Sequence, residues 1–142
     1  MGAQVSATEL AESRDFVAGL GAYGVIAYQA ERFEDVVDIV DLVYDPIGGE
    51  MEDRSWQVLK RGGTLISTVY KPDAPKATAV GVTAKRYTAQ PDGGRLEEIA
   101  SLIDDCRAKV AIDKVFPLAE AAEAERHLQE DHVVGKVILK MA

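Results

Sequence analysis

Short runs of β-branched and apolar residues alternate along this chain with segments of helical length, and that alternation narrows the fold more than any other feature. Val25-Ile26-Ala27-Tyr28, Ile39–Tyr44 and Thr64–Val69 read as strands, as do Gln4–Thr8, the stretch Val80–Gln90 and the closing Val133–Lys140. Between them, Leu10–Leu20 places Leu10, Phe16, Val17 and Leu20 near helical spacing, with Gly21 as its stop. Arg32–Val37 reads as a short charged helix. Glu50–Leu59 reads as a helix with acidic residues in its first turn and Lys60 and Arg61 at its end, matching the dipole at both termini. Gly62-Gly63 then stops it. Leu96, Ile99, Ala100, Ile103 and Cys106 fall on one helical stripe, and an alanine- and glutamate-rich helix ends near Gln129. Pro46–Gly49 and Pro91-Asp92-Gly93-Gly94 are turn signals, and Lys71–Lys76, with its two prolines, reads as a loop. Strands alternating with helices call for a largely parallel sheet covered on both faces, so the expected class is α/β, as one domain over residues 1–142.

Composition removes several classes of function. The 142 residues are 47% hydrophobic and 28% charged, ordinary for a globular chain, and the net charge of -8 opposes nucleic acid and anionic membrane as partners. No apolar run approaches the roughly 20 residues that span a bilayer, and Met1–Ala7 lacks the features of a signal peptide. A single cysteine excludes an internal disulfide and fits a reducing cytoplasm, where the chain is expected to reside.

Few residues offer catalytic chemistry. One Cys and two His do not have the spacing of a tetrahedral zinc site. Cys106 lies on the apolar stripe and reads as an inert core thiol, while His127 reads as a helix-surface residue and His132 as one just past that helix. The glutamates between Glu120 and Glu125 read as a solvated helix face. Gly19-Leu20-Gly21-Ala22-Tyr23-Gly24 fits the glycine pattern of a phosphate cradle, but it follows a helix and precedes a strand, the reverse of the context that a cradle needs.

Four phrases carry a more specific signal: Asp15-Phe16-Val17-Ala18-Gly19-Leu20-Gly21-Ala22, Asp41-Leu42-Val43-Tyr44-Asp45-Pro46-Ile47-Gly48-Gly49, Leu59-Lys60-Arg61-Gly62-Gly63-Thr64-Leu65-Ile66-Ser67 and Gly135-Lys136-Val137-Ile138-Leu139. In this order they resemble the cofactor-binding half of the medium-chain dehydrogenase/reductases, in the quinone-oxidoreductase-like branch of the zinc-type alcohol dehydrogenases, from about Gln4 to Lys140. The resemblance implies a three-layer, Rossmann-like, doubly wound and mostly parallel sheet. It also implies an incomplete one, because the family's first strand and glycine-rich turn find no match. That strand normally lies in mid-sheet. Either the Gln4–Thr8 and Ile39–Tyr44 strands close up, or a second chain or an upstream segment fills the gap.

The resemblance further implies hydride transfer from NAD(P)H to a quinone, enone or similar carbonyl, with the isolated chain expected to be inactive. Its implied cofactor contacts are Thr8, Glu9, Tyr28, Asp45, Pro46, Gly48 and Ser67. Glu9 takes the acidic place that accepts ribose hydroxyls and repels a 2′-phosphate, which favours NAD over NADP. Leu10 and Glu12 stand where the branch has a serine and a basic residue, with Arg14 close by in sequence. Tyr28 matches a tyrosine beside the adenosine. The turn from Asp45 to Gly49 matches one that passes the nicotinamide ribose, although Pro46 brings no N–H. Ser67 ends a strand whose backbone holds the nicotinamide. Lys136 belongs to the closing motif and reads as solubilising a terminal strand. The implied partners are a second copy, joined through the edge strand near Val80–Gln90, and a separate or upstream catalytic domain. The alternative function is a non-catalytic dimerising module with a vestigial cleft.

Overall fold

The computed structural model describes residues 2–130 and 132–141. The chain divides into two compact units, Met1–Ala89 and Gln90–Ala142. The first contains β1 (Ser6–Glu9), α1 (Arg14–Gly19), β2 (Gly24–Ala27), α2 (Phe33–Val36), β3 (Val40–Asp45), α3 (Glu50–Ser55), β4 (Leu59–Ser67), α4 (Ala74–Val80) and β5 (Thr83–Arg86). The second contains α5 (Gly93–Asp104), β6 (Ile112–Pro117), α6 (Ala121–Glu130) and β7 (Lys136–Lys140). β1 pairs with β2, β3–β4–β5 form a sheet in that order, and β6 pairs with β7. All of these pairings are parallel, so the fold is α/β and Rossmann-like.

The core of the first unit explains where its elements start and stop. Leu65, fully buried in the middle of β4, packs with Trp56, Leu59 and Ala77, and with Val82 and Ala84 around β5. Ile26, Phe33 and Val58 form a second cluster, and Val40 and Val43 of β3 pack against both clusters. In the second unit, Phe116 of β6 and Ala124 of α6 are the buried apolar residues among those described.

Several expectations need correction. The segment Leu10–Leu20 is a 3-10 turn at Ala11–Ser13 followed by the short α1, rather than one helix. Helix α3 ends at Ser55, and Lys60 and Arg61 belong to β4 rather than to a helix terminus. Burial of Val58 and Leu59 draws the chain into the sheet early, and Gly62, at φ 82°, lets β4 continue through an irregular register opposite Val40–Leu42. The expected loop over Lys71–Lys76 instead starts α4. Asp73 caps it by accepting from the Lys76 N–H at 2.9 Å, Pro75 occupies its first turn, and Gly81 closes it at φ 71°. Val80 therefore lies on a helix, and the expected strand Val80–Gln90 contracts to Thr83–Arg86. Cys106 is exposed at φ 57°, two residues beyond the end of α5, so it is no core thiol. Strands β1 and β3 do not pair with each other, which removes the closing-up alternative.

Candidate functional site

The implied contact residues gather in two groups, each at the carboxyl ends of a parallel strand pair. This is where ligands sit in open parallel sheets. At the ends of β3 and β4, Asp45 and Ser67 are register partners. The Asp45 carboxylate is buried, and its Oδ1 accepts the N–H groups of Ile47 at 3.0 Å and Gly48 at 2.8 Å, which folds the chain into a turn. Its Oδ2 is buried and has no hydrogen-bond partner among the described residues. Gly48 takes φ 77°, and a Cβ there would lie 2.6 Å from the Tyr70 ring, so glycine serves both the turn and that contact. Ser67 is fully buried, and its Oγ accepts the N–H groups of Val69 and Tyr70, each at 3.3 Å. Pro46 is exposed at the turn.

At the ends of β1 and β2, the Tyr28 N–H donates to the Glu9 carbonyl at 3.2 Å, and Glu9 Oε1 accepts the Leu10 N–H at 2.8 Å. Thr8 is exposed, Glu9 is half-buried and Tyr28 is exposed. Arg14, next in line for a phosphate, pairs with Glu31 at 2.9 Å. The glycines from Gly19 to Gly24 run from the end of α1 to the start of β2, in the reversed context that the sequence indicates.

Sequence reasoning missed three features. Tyr70, three residues past β4, lays its ring on the Gly48 turn. Its only signal is an aromatic residue just beyond a strand end. Glu34 of α2 is clasped by Arg54, with Oε2 2.6 Å from Nη2, and the guanidinium lies 4.7 Å over the Phe33 ring. The Arg54 hydrogen bond is the main reason the Glu34 carboxyl falls from 4.5 to about 2. The clasp ties α2 to α3. In the second unit, His127 is not a plain surface residue. Its Nε2 lies 2.6 Å from Asp113 Oδ2, its ring faces Phe116 at 5.8 Å, and the hydrogen bond holds the Asp113 carboxyl below its ordinary value.

Among the described residues, no three His, Cys, Asp or Glu side chains come together as metal ligands. No helix among them is long and apolar enough to cross a membrane.

Parallel strand pairs with polar groups at their carboxyl ends define a Rossmann-like α/β class, and similarity to known proteins gives the family. Residues 20–139 match the family described as zinc-binding dehydrogenase, and the chain belongs to that family. It is 30% identical over 138 residues to the NADPH-dependent alkenal/one oxidoreductase, chloroplastic, of Arabidopsis thaliana, covering 96% of this chain and 33% of that protein. It is 29% identical to a probable mitochondrial zinc-binding oxidoreductase of Arthroderma benhamiae, covering 91% of this chain and 41% of that protein. The quinone oxidoreductase structure from Coxiella burnetii superposes with a TM-score of 0.88 at 27% identity, covering 99% of this chain and 46% of that one. The chain thus spans less than half the length of these relatives.

Proposed function

We propose that this chain is the cofactor-binding portion of a quinone-oxidoreductase-like NAD(P)H-dependent reductase, inactive in isolation, with residues 1–142 forming one partial dinucleotide-binding domain. The observation that carries this reading is the gathering of Asp45, Pro46, Gly48 and Ser67 at one strand-pair end, and of Thr8, Glu9 and Tyr28 at another. Exposed Thr8 and Tyr28 and half-buried Glu9 offer hydroxyl and carboxylate contacts to a ribose, with Glu9 favouring NAD over its 2′-phosphorylated form. The turn that Asp45 folds offers its backbone to the nicotinamide end, and Asp45 itself acts through the turn. The nicotinamide supplies the hydride, and the protein's part is to orient the ring and exclude water. A quinone or conjugated carbonyl is the proposed acceptor, bound by a catalytic portion that these residues do not include.

Titrating the purified chain with NADH and NADPH, followed by nicotinamide fluorescence and calorimetry, tests the reading. Saturable binding with NADH tighter than NADPH is expected. Absence of binding for both at millimolar concentration would overturn it.

The second reading is a dimerising module that pairs β5 with its counterpart in a second copy, favoured by the unpaired outer edge of β5. Exposed Lys85 and Arg86 on that strand oppose self-pairing, which ranks this reading lower. A dimer in light scattering that a Thr83→Pro change dissolves would restore it. A cytoplasmic location fits the lone exposed Cys106, and cell fractionation checks it, since the printed names of relatives include mitochondrial and chloroplastic proteins.

A further inference from the structure

We infer, resting on the nucleotide-binding reading above, that Glu31 is a specificity-determining residue that acts through Arg14. Its carboxylate engages the one arginine placed to meet a ribose 2′-phosphate, so the chain selects a dinucleotide with a free 2′-hydroxyl. Glu31 is thus a positioning residue, distinct from Glu9, whose proposed part is to accept the ribose hydroxyls itself.

Glu9 and Ala27 are register partners at the carboxyl ends of β1 and β2. The chain leaves each of these ends through a short hydrogen-bonded turn. Beyond Glu9, the Ser13 N–H donates to the Leu10 carbonyl at 3.1 Å and the Arg14 N–H to that of Ala11, which sets Arg14 at the start of α1. Beyond Ala27, the N–H groups of Ala30 and Glu31 both donate to the Ala27 carbonyl, at 2.9 and 2.8 Å. Ser13 and Ala27 are buried, so both turns are anchored in the first unit. Arg14 Nη2 and Glu31 Oε1 then meet at 2.9 Å and join the two turns directly beyond the paired strand ends.

A 2′-phosphate at such a strand end needs a nearby arginine. From Ser6 to Val36 the chain has two basic residues, Arg14 and Arg32, against six acidic ones. Arg32 is held by Glu34 at 2.6 Å and lies 3.8 Å from Asp35, which leaves Arg14 as the cation for the end of β1. The Arg14 and Glu31 side chains are 49% and 40% exposed, so their pairing adds little to stability and both stand open to a ligand. A phosphate brings about two negative charges. To use Arg14 it must turn Glu31 aside and then lie beside that carboxylate, with Glu9 and Glu12 adding charge of the same sign in the adjoining turn. A 2′-hydroxyl is neutral and needs no cation, so Glu31 leaves its binding untouched. The pair therefore penalises one dinucleotide and spares the other, which is how a site gains selectivity without a new attractive contact.

The test is calorimetric titration with NADH and with NADPH of the unaltered chain, Glu31→Ala, Arg14→Gln and the double variant. In Glu31→Ala the ratio of NADPH to NADH dissociation constants should fall about fivefold or more, with NADH itself held within about twofold. Arg14→Gln added to Glu31→Ala should abolish that gain, because the arginine supplies it. The gain should also shrink as salt is raised, as expected of an exposed charge contact. Unchanged NADH affinity shows in the same data that the variants are folded. Equal tightening of both cofactors, an unchanged ratio in Glu31→Ala, or a gain that survives Arg14→Gln would each overturn the inference while leaving nucleotide binding intact. Failure of both cofactors to bind any of the four proteins would overturn the nucleotide-binding reading itself, and this inference with it.

Discussion

Gly48 and Gly135 both hold positive φ, at 77° and 112°, but an added methyl group would meet different obstacles. At Gly48 it would lie 2.6 Å from the Tyr70 ring, a side chain that can swing away. At Gly135 it would lie 2.5 Å from the carbonyl oxygen of Ala111, the acceptor of the Lys136 N–H at the start of the β6–β7 pairing. Gly48→Ala is expected to cost about 1–3 kcal/mol in urea unfolding, with part recovered in the double variant with Tyr70→Ala. Gly135→Ala should cost more, about 3 kcal/mol or above, with no side-chain change that rescues it. Asp45→Ala removes the acceptor of two N–H groups and should cost about 1–3 kcal/mol, while Asp45→Asn, which keeps an acceptor oxygen, should cost less. The Asp45–Gly49 turn was legible in the sequence because its demands are local. The contact with Tyr70 was not, since 22 positions of chain separate that residue from Gly48.

At the scale of elements, the Glu34–Arg54 clasp makes a pH-dependent join between α2 and α3. The Glu34 carboxyl sits near pH 2 in the fold against an ordinary 4.5, so its contribution is complete above about pH 4.5 and fades as pH falls toward 2. The melting temperature of Glu34→Gln should therefore lie below that of the unaltered chain at neutral pH, and the two should converge as pH is lowered from 5 to 2. Most elements could be read in outline, and the errors share a cause. Pro75 reads as a breaker, yet in a first turn behind the Asp73 cap it starts a helix. Gly62-Gly63 reads as a stop, yet buried Leu59 and Leu65 on either side keep the chain in β4. Cys106 continues a helical spacing that the chain abandons at Asp104. Periodicity states what a segment prefers, and packing determines how far it runs.

At the scale of the molecule, the charge of -8 and exposed apolar groups such as Leu42, Tyr44, Leu96 and Ile99 act against each other. Association measured by light scattering should be weak at low ionic strength and rise as salt screens the repulsion. Which strands pair was beyond reach of the sequence, because a β-branched run does not encode its neighbour. The parallel sense was legible from the alternation of strands and helices alone. That sense governs how the chain reaches its fold. With every strand pair among the described residues parallel, no tight hairpin among them can nucleate a sheet, and each ladder waits for a crossover such as the one from Glu9 to Gly24 or from Pro117 to Lys136 to close. Refolding should be slow for so small a chain, leaving strand edges open for most of the journey, and yield should improve when synthesis is cooled and slowed.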